Sequence, residues 1–498
     1  MHEDERLSNA LRLVPVPEHG PDFQARREAA LAAAGLLAAG QGRPWTSSRK
    51  HQRRPTSKRL LIIAAAASIA LAAAVLAAVL LTAGSGGERQ TLVPPSHSRA
   101  AAGGITSGPA PEQVGDELSG MVGGLDGEPW TWGYRHRKGG PGSPLLERWD
   151  GQRWQAVPTP SGKMAAVREI DGVAAPSGRD LWVAYDTPRG GRLAHWDGVR
   201  WKAFPAIDFV STSETSNALL AVSPNDVWAV GWAGTRRQPP NSRLTTMHWN
   251  GNRWSSIPTP AFGRGVGDVS LRLVRGVSPD AVWALGDYQR YRRKTVGRKV
   301  QWVPVRWEQF LLRWDGRRWT RQPWPTSQLS SGLKDRIAIN DLAVASDAEL
   351  WCAGSRWFGP DNSSDLWVPI VLRFLAGRWQ VMASSAAPSL PADWKQFMST
   401  SIALTSSQDV WVAGGTDTSS SLWHWDGGAW SVVDLPEAQS PTQSSARSVL
   451  AVGADDVWVL CQGSTTSDRL EQLEPFFLHF DGTAWQRVPA APHAGAQR

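Results

Sequence analysis

Short apolar runs of four to seven residues, each bounded by turn-forming residues, recur along most of this chain. One set reads ALLAVS (218–223), DVWAVGW (226–232), RLTTMHW (243–249) and RWSSIP (253–258). Valine, isoleucine, leucine, threonine and tryptophan dominate, and each run has the length of a strand. Ser223-Pro224-Asn225-Asp226 predicts a tight turn between the first two segments. Asn250-Gly251 predicts a hairpin between the last two. Long apolar stripes of period 3.6 are missing from this part of the chain, which excludes a helical solenoid.

The same four-segment unit recurs seven times between about residue 116 and residue 491. A first Trp stands at Trp130, Trp182, Trp228, Trp283, Trp351, Trp411 and Trp458. An aromatic residue just before the last turn stands at Trp149, Trp196, Trp249, Trp314, Phe374, Trp425 and Phe480. A second Trp follows at Trp154, Trp201, Trp254, Trp319, Trp379, Trp430 and Trp485. These positions hold 19 of the 29 Trp residues, so the abundance of Trp reads as a packing rule. The turn is Asp-Gly or Asn-Gly in six copies and Leu375-Ala376-Gly377 in the fifth. Turn aromatics lie 47 to 65 residues apart, which fits a blade of four strands with insertions. Four antiparallel strands cannot bury both faces alone, but radial stacking of such sheets can. The expectation is an all-β, seven-bladed β-propeller over residues 116–491. Its first strand falls near Leu118–Gly123 and its last near Trp485–Pro489.

The order apolar–Trp–apolar–Gly, then aromatic–Asp–Gly, then Trp–x–x–apolar–Pro resembles the kelch and galactose-oxidase type of blade. Where kelch repeats carry a doubled glycine, most copies here have one (Gly231, Gly286, Gly354), and only Gly414-Gly415 is doubled. The Asp-Gly-x-x-Trp portion also looks like a shortened Asp-box. The resemblance implies a propeller and leaves function to particular residues.

The front of the chain has a different pattern. Residues 60–82, LLIIAAAASIALAAAVLAAVLLT, are apolar without a charge, long enough for a single transmembrane helix. Before them stand Arg43, Arg49, Lys50, Arg53, Arg54, Lys58 and Arg59, with no acid between. Positive charge stays inside, so the N-terminus is expected in the cytoplasm and the propeller outside. A cleaved signal peptide has a shorter apolar core and a far shorter charged front. Residues 1–59 read as a short basic cytoplasmic segment, partly helical up to Gly40. The stretch LRLVPVPEHGPDFQARREAAL resembles the leader of membrane-bound regulators related to anti-sigma factors, which implies a signalling role for this segment. His19 and His51 stand there without any Cys, so no zinc cluster accompanies it. Residues 83–115, rich in Gly, Ser, Pro and Ala, read as a flexible linker, and 492–498 as a tail. Composition rich in Ala, Arg and Trp points to a bacterial source. The net charge of +8 owes +5 to residues 1–87, a topological signal rather than a nucleic-acid footprint.

Most candidates for chemistry dissolve into the repeat. Cys352 and Cys461 follow a first Trp and read as buried free thiols. His195, His248, His424 and His479 precede the turn aromatic, where other copies carry Arg148, Arg313 and Arg373. A position that exchanges His for Arg is no metal-ligand position. Turn Asp residues are expected to hold hairpins. No pair of carboxylates stands out for glycoside hydrolysis. The four Tyr residues, Tyr134, Tyr185, Tyr288 and Tyr291, form no evident catalytic set. No catalytic residue, metal or cofactor is therefore assigned.

Insertions between the second and third segments should gather on one face of the ring. Those of the first four copies are basic, and the fourth is the richest: DYQRYRRKTVGRKVQW (287–302). It nominates Arg290, Arg292, Arg293, Lys294, Arg298 and Lys299, with Tyr291 and Trp302, as a site for an anionic glycan or an acidic protein partner. The expected role is a non-catalytic, membrane-anchored binding or sensing module. The alternatives are a propeller-type hydrolase or lyase acting on carbohydrate, and a regulator acting through residues 1–59.

Overall fold

The computed structural model describes residues 113–137, 142–160, 169–187, 191–204, 217–233, 243–296, 299–327, 336–357, 367–384, 398–415, 420–436, 443–464 and 473–491. The expected cytoplasmic segment, transmembrane span and tail, and the linker up to residue 112, lie outside the described residues. Among the described residues no helix is long and apolar enough to cross a membrane.

The described chain is all-β: 28 strands form seven antiparallel four-stranded sheets, with one 3-10 turn at Pro325–Ser327. The arrangement is consistent with a seven-bladed β-propeller. The sheets span residues 113–156, 169–203, 219–256, 266–321, 336–384, 398–433 and 443–489, numbered here as blades 1 to 7. In blade 3 the strands are Leu219–Ser223, Asp226–Ala233, Arg243–Trp249 and Trp254–Ser256, within a residue or two of the sequence reading. The first strand, Gln113–Gly123, begins inside the stretch read as linker, and the last is Trp485–Pro489.

First strands of successive blades lie side by side around a closed circuit, and that of blade 1 lies beside that of blade 7. Each blade is one contiguous piece of chain, so closure depends on contacts rather than on a shared strand. Gly115 pairs in parallel with Leu473. The buried Gln462 side chain accepts from the Leu118 amide at 3.3 Å and donates to the Asp116 carbonyl at 3.1 Å. The Asn217 amide does the same between blades 2 and 3, at 3.0 and 2.8 Å from the Val173 amide and carbonyl. Gln309 repeats it on Ile339 between blades 4 and 5, at 2.8 and 3.1 Å. Buried backbone groups at a sheet edge must find partners, and these side chains supply them.

The repeat Trp residues explain the rest of the cohesion. The first Trp of one blade packs against the turn aromatic and second Trp of the next. Trp182 meets Trp249 and Trp254, both with ring centroids 5.1 Å away. Trp228 meets Trp314 and Trp319 at 5.1 and 5.4 Å. At the closing seam Trp458 meets Trp149 and Trp154 at 4.8 and 5.7 Å. Such aromatic pairs each contribute about 1 kcal/mol beyond the area they bury. Second Trp residues also reach back: the Trp379 indole donates to the Pro323 carbonyl at 2.8 Å, and that of Trp430 to Met382 at 3.1 Å.

The His/Arg exchange has a common cause. His195, His248, His424 and His479 lie over Trp182, Trp228, Trp411 and Trp458 at 3.9 to 4.4 Å. Their Nε2 atoms sit 2.5 to 3.0 Å from Asp180, Asp226, Asp409 and Asp456. Arg373 serves the same end, 2.7 Å from Glu349 and over Trp351 at 5.4 Å. In these five blades the group covers a Trp face and binds the acid that opens the strand, while Arg148 and Arg313 cover Trp130 and Trp283 at 5.9 and 5.8 Å. Cys352 and Cys461 are buried, free and in second strands.

The final turns differ from a two-residue hairpin. Trp149 pairs with Trp154, leaving a four-residue loop in which Asp150 Oδ1 accepts from the Gln152 and Arg153 amides, both at 2.9 Å. These bonds, that to Arg153 foremost, hold the Asp150 carboxyl down at about 2. Blade 5, which lacks the Asp, pairs Leu375 with Arg378 and turns in two residues, Ala376 and Gly377, with φ of +49° and +82°. Without a side chain to cap the longer loop, the chain takes the primed turn.

A candidate binding ribbon on the fourth blade

Blade 4 departs from the other six. Its second and third strands, Ala281–Val296 and Lys299–Trp314, have 16 residues each, against 7 to 9 for the other second strands. Pairing continues from Val282↔Trp314 to Val296↔Lys299. The first strand, Val266–Ser278, follows only as far as Arg290, and the fourth, Trp319–Arg321, touches only Leu312 to Trp314. Beyond these limits the two strands form a ribbon of their own. The sequence analysis counts this stretch as an insertion between strands, because consecutive charges in RYRRK hide the period of two. The β-branched and aromatic residues of VQWVPVRW (300–307) decide for strand.

The base of the ribbon is locked. The Tyr288 hydroxyl and the Arg306 guanidinium both donate to the Glu308 carboxylate, and Arg290 Nε donates to it at 2.6 Å. The Arg290 guanidinium also lies over the Tyr288 ring, 5.4 Å from its centre. Burial pushes the Glu308 carboxyl up, but the bonds from Arg290 and Tyr288 outweigh it and leave the group below its usual range. The Tyr291 hydroxyl donates to Asp268, and the Tyr291 amide to the Gly265 carbonyl at 2.7 Å. Asp268 holds a φ of +48°, a left-handed conformation that a non-glycine residue adopts at a cost. Arg290 and Tyr291, both nominated as ligand contacts, are thus engaged in fixing the ribbon.

The outer part is free. Arg292, Arg293 and Lys294 are exposed. Among the described residues they form no ion pair. Trp302 is 44% exposed, Val305 47% and Trp307 39%. Arg293 stands opposite Trp302, and Arg292 opposite Val303, so successive pairs carry cation and apolar group to alternate faces. Lys299 lies in the ribbon, its side chain outside the described residues, as is Arg298 altogether. The sequence analysis did not nominate Val305 and Trp307, whose exposure follows from the strand running beyond its neighbours. The other six insertions lie largely outside the described residues.

The middle of the ring holds a small polar space of about 30 Å³, lined among others by Ser119, Asn217, Arg275, Asp341, Thr400 and Arg447. Asp341 is its carboxylate, and both oxygens are taken. Oδ1 accepts from Arg275 at 3.0 Å and the Leu342 amide at 2.8 Å; Oδ2 accepts from Ser401 Oγ and the Ile402 amide at 2.9 and 3.2 Å. This carboxylate ties blades 4, 5 and 6 together. Elsewhere, the buried Asp171 is raised to about 8 by burial, then by Glu169 and Asp186, and the buried Glu147 is raised to about 7 chiefly by burial. Among the described residues no group of three or more His, Cys, Asp or Glu is placed to hold a metal ion.

No family model matches the chain, and no curated protein matches it. Solved structures to which the chain is similar include a xyloglucanase from Xanthomonas campestris, at 12% identity and a TM-score of 0.44, covering 73% of this chain and 54% of that one. The chain therefore spans about half the length of that enzyme. An ulvan lyase matches at 10% identity and a TM-score of 0.48, covering 77% and 99%. The β-propeller domain of the Trilobed protease from Pyrococcus furiosus matches at 11% and 0.43, covering 77% and 97%. These likenesses concern fold alone and assign no activity.

Proposed function

We propose that this protein is a membrane-anchored, extracytoplasmic binding module of kelch-like kinship, which holds an anionic partner through the fourth-blade ribbon. The observation that carries the reading is the division of that ribbon. Its base spends Arg290, Arg306 and Tyr291 on Glu308 and Asp268, while Arg292, Arg293 and Lys294 remain exposed beside Trp302. A rigid stem with unpaired cations at its end is organised for contact, since paired cations would offer an anion little. Residues 60–82 supply the anchor and residues 83–112 the tether. Asp341, engaged on both oxygens, holds the ring together rather than acting on a substrate.

The test is retention of the full-length protein on immobilised dextran sulfate at low salt, with the eluate assayed for cleavage products. Replacing Arg292, Arg293 and Lys294 by Ser should weaken retention ~10-fold or more and leave the fold intact. Unchanged retention would move the site elsewhere, and product formation would replace the binding reading with the enzymatic one.

A further inference from the structure

Resting on that reading, we infer that the anionic partner of the ribbon is a lipid surface: the ribbon lies in the headgroup layer of the bilayer to which the chain is tethered. Three observations converge.

The first is composition in place. From residue 290 to residue 307 the sequence has no Asp or Glu, and the apolar residues with described side chains are Trp302, Val303, Pro304, Val305 and Trp307. Cations with exposed Trp and Val match an anionic interface, where the indole ring sits between apolar and wet layers and each basic residue adds attraction.

The second is shape. A two-stranded ribbon has no concavity. Opposite pairs Arg293–Trp302 and Arg292–Val303 point to alternate faces, so both faces carry a cation and an apolar group. A compact ligand or a flat protein surface would cover one face. A headgroup layer surrounds both. Unpaired backbone groups along the ribbon edges keep it in that hydrated layer and out of the hydrocarbon.

The third is direction. Gln113, where the chain enters blade 1, pairs with Arg137 at the end of the second strand. Entry is therefore on the side where second strands end. In blade 4 that is the side from which the ribbon projects, because equivalent Trp contacts at each seam give the blades one orientation. The tether leaves from the face that carries the ribbon. Roughly 30 residues separate residue 82 from Gln113, a length of chain that reaches at most ~100 Å.

The experiment uses the full-length protein with Thr295→Cys, labelled with an environment-sensitive dye. Thr295 is exposed at the ribbon end. The native thiols are buried, and burial drives Cys352 well up and Cys461 to about 12, so labelling is selective. The protein is reconstituted into phosphatidylcholine vesicles with or without phosphatidylglycerol. The inference expects a blue shift of the dye and quenching by brominated lipid only with phosphatidylglycerol. Both should vanish at high salt and in the Arg292→Ser/Arg293→Ser/Lys294→Ser variant, whose partition should fall roughly 100-fold, about fivefold per cation. No shift, or an equal shift in neutral vesicles, overturns the lipid assignment. A labelled protein that ignores vesicles but responds to soluble dextran sulfate or an acidic peptide keeps the broader binding reading. Response to none of them overturns both.

Discussion

Blades 4 and 6 start from the same plan and end in different uses. In blade 6 the second and third strands are Asp409–Gly415 and Ser420–Trp425, and Trp411 is buried against blade 7. In blade 4 the matching Trp283 is buried in the same way, yet both strands run on and present Trp302 to solvent. One residue type thus serves two ends. Strand extension tells them apart: Trp283 lies where the strand packs between blades, and Trp302 lies on the part of the strand that runs beyond its neighbours.

The sharpest way to break this comparison is to truncate one Trp of each kind. Trp458→Ala opens the seam between the last and first blades and should cost about 3–5 kcal/mol in denaturant unfolding. Trp302→Ala should stay within ~0.5 kcal/mol. Equal losses would mean that the ribbon is part of the core. Next in size is Asp341→Ala, which leaves Arg275 and two neighbouring blades without their shared carboxylate. It should cost about 3 kcal/mol in the same assay, and a neutral result would remove Asp341 from the account of cohesion.

Titration sharpens the picture of the ring itself. Glu147 and Asp171 have carboxyls raised to about 7 and about 8 in the folded protein, mainly by burial. The fold therefore holds these protons longer than the unfolded chain does. Their penalty is absent below about pH 4, grows as pH rises, and is complete only above about pH 9. Wild type should lose stability between pH 5 and pH 8. The Glu147→Gln/Asp171→Asn variant should lose less, by several kcal/mol, on the order of 6 if both shifts are fully expressed. Parallel curves would show that these groups titrate normally. The smallest effect compares turns: Gly377→Ala, at φ +82°, should cost about 1 kcal/mol, whereas Gly263→Ala, with open space around it, should be near neutral.

Much of the fold was legible because the repeat writes local rules seven times over. Trp, His and Asp at fixed offsets announced strands, turns and blade count. The seam amides of Asn217, Gln309 and Gln462 were not legible, since each bonds to backbone in another blade. The Asp-Gly doublets pointed to hairpins but not to loop length, which depends on whether the carboxylate caps the loop. The ribbon was found as a basic segment and misread as irregular, because charge pattern and strand period conflicted there. Which of its cations remain unpaired depends on Glu308 and Asp268, a matter of register across strands.

Hydrogen exchange of the reconstituted full-length protein, with and without anionic lipid, tests the central claim most directly. The account predicts slow exchange in the buried second strands under both conditions, and new protection confined to residues 290–307 when phosphatidylglycerol is present. Protection arising instead on the strands around the central space, with the ribbon unchanged, would contradict it.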